Sequence, residues 1–563
     1  MADVPLDAHD LDRWSLMEAR HRRLLLLLWA VFLLRGIFYI SFTPLWEGFD
    51  EHSHFAYVQL LSTEARLPVA DRDRVSEEIH SSLKLAPLPA EPRGFGLGLI
   101  HDQYWKLDKE ERHRREAGLR ALDPALGRRQ IPKGESRSNV FLSIYEAQHP
   151  PLYYFLCLAP YRLAAQLNLI DRVFLIRAFS ILLASGLIPL GFMLLRQLLG
   201  DTQALLVLWI VAFLPGVMFD VARVGNDSLA ALLFTLLVCL SVRTVVSRTQ
   251  ALAIGLTLGL GLLTKTSFLT AVVPFAIALL LPRVALRPLR SRIVDLGVAG
   301  LAVTAVAAWW YWLNYSTTGS WTGLYFDSLT PRWSLTKTAL SVDWANASDA
   351  ILRSHVWFGN WSFLALRGWM YQLVTVVFAV AAAGVGIRVV HSFKPAAENR
   401  YPFLVAVLFY AFFWLGLGYY VLLTYAATGV SAIPGWYLCT PIACEILLLY
   451  VGWTLFFPRT GRVRVAAAMA LGATLMDLYG VFFLLIPYYT GFISRNARGS
   501  MSSFRPWTVS LADYAEMFSR LTVNKSGFMT AGYFLVTASV FLVMGIASVA
   551  LALRFLWRVK AGE

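Results

Sequence analysis

Four cysteines in 563 residues read as neither a disulfide set nor a metal site. Cys157, Cys239, Cys439 and Cys444 all fall inside apolar segments, where a thiol behaves as a small buried hydrophobe. Charge is also scarce: Asp, Glu, Lys and Arg together make up 15% of the chain, against about a quarter in ordinary soluble domains. Acidic residues are the scarcer sign, 36 against 50 Lys and Arg, giving a formal charge of +14. The arginines sit in short patches between apolar runs and do not gather on one soluble face, so the excess gives no reason to expect a nucleic-acid partner. No internal repeat of the kind carrier proteins often show is visible. The first apolar run, Leu24 to Phe42, follows Arg20-His-Arg-Arg23 and lacks a small-residue cleavage site, which reads as an uncleaved signal anchor.

What the chain does have is hydrophobic length. Apolar residues make up 57% of it, in recurrent runs of about 20 from Leu24 to Leu556, the length a bilayer core demands. The expected fold is an all-α polytopic membrane protein with twelve candidate spans, at about 24–43, 173–197, 203–222, 228–246, 251–264, 267–282, 293–315, 371–391, 402–424, 434–457, 464–487 and 531–555. The segment 149–167 is apolar enough to be a thirteenth. If it stays on one side, the arginine-bearing short loops all fall in the cytoplasm, as the positive-inside rule prefers. Both termini are then cytoplasmic, and 149–167 is a juxtamembrane or re-entrant element. The domain reading is a cytoplasmic N-terminal segment at 1–23; a transmembrane module at 24–315 with an external loop at 44–172; an aromatic-rich external loop at 316–370; and a C-terminal transmembrane module at 371–563 with an external loop at 488–530. The aromatics of 316–370, among them Trp321, Trp344, Trp357, Trp361 and Trp369, suit an interfacial belt or stacking against sugar rings.

Three constellations carry chemistry. Just past the first span, Asp50-Glu51-His52-Ser53-His54 places a carboxylate pair at a helix start, with Asp50 and His54 on one face. Capping of the helix and a catalytic role are compatible readings of that pair. A divalent cation held by Asp50 and His54 is a minor alternative, and no cofactor is required. Further on, Glu146-Ala-Gln-His149-Pro-Pro-Leu-Tyr153-Tyr154 fixes a helix entry with two prolines. Next, Arg223-Val-Gly-Asn226-Asp227 stands at the external end of a span, and Thr264-Lys265-Thr266 interrupts about 32 apolar residues. Two helices of about 15 residues are too short to span comfortably, so Lys265 is expected below the external surface, facing protein or a water-filled cavity. Arg35, Lys265, Glu445 and Asp477 are ionisable groups within spans, and such groups are functional candidates.

In their order, Asp50-Glu51, His149-Pro-Pro-Leu-Tyr-Tyr154, Asn226-Asp227 and the Leu-Leu-Thr-Lys265 break resemble the GT-C superfamily of glycosyltransferases that use polyprenyl-phosphate sugars. Protein O-mannosyltransferases and lipid A aminoarabinose transferases are the comparisons, over about the first 315 residues. The second half, with Trp357-Phe-Gly-Asn-Trp361 and Gly435-Trp-Tyr-Leu-Cys-Thr-Pro441, is more similar to uncharacterised multi-pass bacterial membrane proteins. The resemblance implies a GT-C-like bundle of about twelve transmembrane helices with extracytoplasmic juxtamembrane helices. It also implies transfer of a hexosyl or pentosyl group from a polyprenyl-phosphate sugar to an extracytoplasmic glycan, lipid or protein, with inversion. The setting would be a bacterial inner membrane, with the site facing the periplasm or exterior and membrane lipids around it. Asp50 matches the superfamily's catalytic acidic residue, with Glu51 as its positioning partner. Lys265 with Arg35 or Arg223, together with His149 and Tyr153, would hold the donor phosphate and lipid. His54, Asn226 and Asp227 would position the acceptor. His149 stands where the aminoarabinose enzymes have Lys. The alternative is a lipid or solute transporter or flippase, in which Arg35, Lys265, Glu445 and Asp477 serve as coupling charges.

Overall fold

The structure is a computed structural model that describes residues 19–558, apart from 71, 91–95, 133–141, 244–246, 282–287, 324–333, 393–399 and 497–498. Most of the N-terminal segment expected at 1–23 therefore lies outside the described residues, as do Tyr325 and Trp333 of the aromatic loop. The described chain is built from helices, and its only β pairings are four isolated bridges.

Each of the twelve apolar segments forms a helix or a broken pair of helices, but they differ in reach. Among the described residues, seven helices are long and apolar enough to cross a bilayer, from Ala19–Phe42 to Ala531–Trp557. An eighth crossing is made if the pair Asp201–Phe213 and Pro215–Val221, bent by 63°, counts as one span. Helix length among the described residues does not confirm the expected count of about twelve crossings. Asp227–Ser241, Thr266–Leu280 and Ile442–Thr454 are shorter apolar helices, and Arg248–Leu262 has 15 residues. The chain is an integral multi-pass membrane protein with several part-length helices inside the bundle. The Leu152–Leu163 helix, with Pro160 within it, has 12 residues and rises about 18 Å, too little to cross a core of about 30 Å.

The part-length helices pack through small residues, which let backbones approach where lipid offers no hydrophobic drive to associate. Arg248–Leu262 lies along Leu289–Thr318 with Gly255 against the Ala299 backbone and Gly259 against Val306. Gly384 and Gly452 likewise bring Gly368–Ser392 onto Ile442–Thr454.

The break at Thr264-Lys265-Thr266 is present, and its freed carbonyls are taken up by protein. Leu152 N–H donates to Leu263 O at 2.9 Å, and Asn226 Nδ2 donates to Thr264 O at 3.0 Å. Irregular backbone at membrane depth is tolerable where such partners exist. The same two bonds tie the 149–163 segment and the Asn226-Asp227 turn to the break, so three sequence-distant motifs converge.

The 44–172 loop is knotted to the rest of the chain by buried polar contacts. Glu47 pairs with His101 at 3.2 Å and accepts from Ser362 N–H at 3.0 Å. Asp102 accepts from Arg495 N–H at 2.7 Å. Within the loop, Glu78 binds Arg172 and accepts from Gln59 at 2.9 Å. The loop is a folded cap that holds the Asp50 turn in place.

Candidate active site

The chain leaves the Ala19–Phe42 helix and turns through 43–50 before the Glu51–Glu64 helix begins. The turn is pressed onto Arg223: a Cβ on Gly48 would stand 2.8 Å from the Arg223 Cβ, so the close approach requires glycine. Arg223 Nη1 donates to Phe49 O at 2.7 Å, and its guanidinium lies 5.8 Å from the Phe49 ring centre. Asp50 follows at φ +49°, in the left-handed region that Asp tolerates better than most residues. Its carbonyl accepts from Ser53 and His54 N–H, both at 2.9 Å, so the backbone starts the helix. The carboxylate does not cap it. Among the described residues, no hydrogen bond or ion pair reaches that carboxylate.

Two carboxylates here are driven in opposite directions. Burial and the nearby charge of Glu146 push Asp50 from 3.8 up to about 8, against the pull of Arg223. Burial works against the charge of Glu146 as well, but His54 and His149 hold that group down at about 2. His149 Nε2 lies 2.7 Å from Glu146 Oε2 and His54 Nε2 3.9 Å from Oε1. Burial lowers His54 itself to about 3, against the pull of Glu146, and His149 is the closer partner of that carboxylate. His54 Nδ1 lies 2.8 Å from the Tyr154 hydroxyl, and Tyr154 stacks on Tyr57 at 3.7 Å. Both nitrogens of His54 thus face Glu146 and Tyr154, not an ion shared with Asp50. Among the described residues, no group of three His, Cys, Asp or Glu is arranged around a common point.

Glu51 is placed differently from its neighbour. Arg177 grips it through Nε at 2.7 Å and Nη2 at 2.5 Å, and Val224 N–H donates to it at 3.0 Å. Arg177 also donates to the carbonyls of Thr43 at 2.9 Å and Pro44 at 2.8 Å. Glu51 therefore locks the turn to the Leu169–Ser185 helix and holds Asp50 by its backbone.

The cations of the site share one carboxylate. Asp227 binds Arg223 at 2.6 Å and also Lys265, and Asp220 stands 3.8 Å from Arg223. Lys265 is buried with Nζ 5.4 Å from the Tyr437 ring centre. Tyr153 accepts from Gly225 N–H at 3.0 Å and lies 2.7 Å from Ser180 Oγ, which fixes the turn that carries Asn226. Tyr437 in turn stands 5.4 Å from Tyr420, so residues of the second half of the chain reach Lys265.

Asp50, Glu51, His54, His149, Tyr153, Arg223, Asn226, Asp227 and Lys265 are gathered into this region. Arg35 is not. It pairs with Asp477 at 2.7 Å beside Tyr39, within the bundle. Glu445 is engaged elsewhere, by His355 at 2.5 Å and Tyr410 at 2.9 Å. Sequence reasoning gave no role to Glu146, Arg177 or Tyr437. Glu146 stood three residues before His149 in a quoted motif, which is the spacing at which the two pair. Tyr437 stood in the Gly435–Pro441 motif, and Arg177 sat unmarked in an apolar span.

Residues 148–312 match the family model described as dolichyl-phosphate-mannose-protein mannosyltransferase. That segment holds His149, Tyr153, Arg223, Asn226, Asp227 and Lys265, and the match supports the GT-C superfamily reading there. Two solved structures are similar to the chain, both of ArnT from Cupriavidus metallidurans. The apo form is 11% identical, with 73% of this chain and 67% of that chain covered and a TM-score of 0.36. The form bound to undecaprenyl phosphate is 13% identical, with 74% and 69% covered and the same TM-score. No curated protein matches the chain.

Proposed function

We propose that the chain is a membrane glycosyltransferase that moves a sugar from a polyprenyl-phosphate donor to a hydroxyl acceptor at the extracytoplasmic face, with Asp50 as general base. The observation that carries this reading is the state of Asp50: a carboxylate without a hydrogen-bond partner among the described residues, held by a backbone turn that Arg223 grips and raised to about 8 by burial and the charge of Glu146. A group with proton affinity near the working pH suits proton abstraction. In the reaction, the acceptor O–H proton passes to Asp50. The acceptor oxygen bonds to the anomeric carbon, and the bond from that carbon to the phosphate oxygen breaks. The phosphate leaves with the electron pair, and inversion follows from single displacement. Arg223 and Lys265 are suited to meet the phosphate charge, since they share Asp227 between them. The family match over 148–312 supports the sugar chemistry. The carrier alternative has less support, because Arg35, Lys265, Glu445 and Asp477 each have a buried partner.

The test is mass spectrometry of lipids that co-purify with the protein, followed by transfer assays with the lipid-linked sugar so identified. Loss of transfer in Asp50→Asn with the fold retained is expected. Wild-type turnover in that variant would refute the assignment of the base.

A further inference from the structure

Behind the Glu51–Arg177 lock lies a second polar pocket. A half-open cleft is framed by the end of the first helix, the 170–177 stretch and the turn at 524–529. Its apolar wall includes Ile40, Val173 and Met529. Its polar wall is Arg177, Asn524, Lys525 and Ser526. Asn524 is 4% exposed, yet among the described residues neither its Oδ1 nor its Nδ2 has a hydrogen-bond partner, and the same holds for Ser526 Oγ at the same exposure. Leaving such groups unpaired costs free energy, so three unpaired atoms on one short turn mark a place where a ligand supplies the partners. Asn524 takes φ +55°, in the left-handed region that Asn tolerates better than most residues. Lys525 is buried and donates to Thr43 O, and that carbonyl also accepts from Arg177.

We propose that this pocket is an accessory binding site for a phosphate group, the headgroup of a bilayer phospholipid being the source that its apolar wall favours. A phosphate oxygen can accept from Lys525, Asn524 Nδ2 and Ser526 Oγ, and a phospholipid's glycerol hydroxyl or amine can donate to Asn524 Oδ1. Phe528, 58% exposed, stands against Phe174 at 5.7 Å, an aromatic edge suited to an acyl chain. Burial draws Lys525 well below the usual ammonium range, and an anion beside it would restore its charge. The site is distinct from the Asp50 cluster, since Glu51 and its grip on Arg177 stand between them. It does not rest on the transferase reading, because binding is measured directly.

The experiment compares the wild type with Asn524→Gly/Ser526→Ala. Glycine keeps the positive φ while removing both amide atoms, and alanine removes only the hydroxyl. In one arm, protein in nanodiscs of phosphatidylethanolamine and phosphatidylglycerol, 3:1, is released into the gas phase and the retained phospholipid is counted. In the other, detergent-purified, delipidated protein is titrated with inorganic phosphate against chloride of equal ionic strength, and melting is followed. Retention of one phospholipid by the wild type, weakened roughly tenfold in the variant, supports the lipid source. A phosphate-dependent rise in melting temperature that the variant loses, without lipid retention, supports the same site with free phosphate as its source. Identical behaviour of the two proteins in both arms overturns the proposal and leaves a pocket for water. The variant without phosphate should melt no lower than the wild type, since it loses only unpaired polar groups. An early-melting variant overturns the proposal in favour of a structural turn, unless Lys525→Gln in the same two arms weakens binding while melting normally.

Discussion

Asp50→Asn separates function from stability with a sign that an ordinary buried side chain would not show. Asn removes no hydrogen bond, because none reaches the carboxylate among the described residues, and it accepts the φ of +49° as readily as Asp does. Raised from 3.8 to about 8, Asp50 favours the fold only while protonated. Its contribution is therefore fully present below 3.8 and is lost as pH rises through about 8. Relative to a neutral side chain of the same shape, holding it in the fold costs up to about 4 kcal/mol at pH 7. Asp50 is only partly buried, and access to water reduces that to about 1–2 kcal/mol. Asp50→Asn should thus melt at the wild-type temperature at pH 5 and a degree or two above it at pH 8.5. Sugar transfer should meanwhile fall by about 10²–10⁴-fold. Melting is read in detergent by intrinsic fluorescence across pH, and transfer with the co-purified lipid-linked donor. A variant that melts several degrees early at pH 8.5 would show the carboxylate to be structural, and the base assignment would fail with it.

The acid limb of kcat/KM should rise through about pH 8, since the base must be ionised, and Glu146→Gln should move that limb down by roughly one pH unit by removing the like charge; an unmoved limb refutes the coupling. The same Glu146→Gln should destabilise the protein by about 1–2 kcal/mol at pH 7, because a carboxylate held near 2 stabilises above 4.5 and loses that contribution only as pH falls through about 2; equal melting of variant and wild type at pH 7 counts against it. Lys265→Met should weaken donor binding about tenfold yet cost only about 1–3 kcal/mol of stability, less than a fully stranded buried charge, because Arg223 still pairs with Asp227; a variant that binds donor normally rules out the phosphate role. For orientation, Ala90→Cys and Gly429→Cys should react with an impermeant thiol reagent in intact cells and Ser291→Cys should not; the reverse pattern would invert the placement of the site.

The helical segments were legible because a bilayer imposes a length and an apolar composition that hold whatever the neighbouring helices do. Their reach was not. Whether 15 apolar residues cross or stop short depends on whether protein takes up the backbone groups at the break, as Leu152 and Asn226 do at Leu263 and Thr264. The motifs of the first half converge: His149, Asn226 and Lys265 lie in segments joined by those same bonds, and Arg223 and Val224 tie the Asp50 turn to them. Arg35 shows the opposite case. A charge in a span signals a partner, but the sequence does not say which, and Asp477 lies 442 residues away. Arg177 carried no signal, because a lone arginine in an apolar run looks the same whether it holds a catalytic loop or an ordinary helix.

Glu51 and Asp50 differ less in type than in what their surroundings permit, and the contrast accounts for the architecture around them. A general base has to keep its lone pairs available, which in a buried site means withholding the hydrogen bonds that would stabilise its charge. The fold must then fix that residue by other means. Here the fixing is transferred one residue along the chain: Glu51 takes Arg177 and the Val224 N–H, Phe49 O takes Arg223, and the backbone of Asp50 takes Ser53 and His54. The Asp50 turn is thus held through its backbone and through Glu51, while no hydrogen bond or ion pair among the described residues reaches the Asp50 carboxylate. The arrangement makes Glu51 more dangerous to remove than its distance from the chemistry suggests, since Arg177 would lose a buried anion and the turn its anchor.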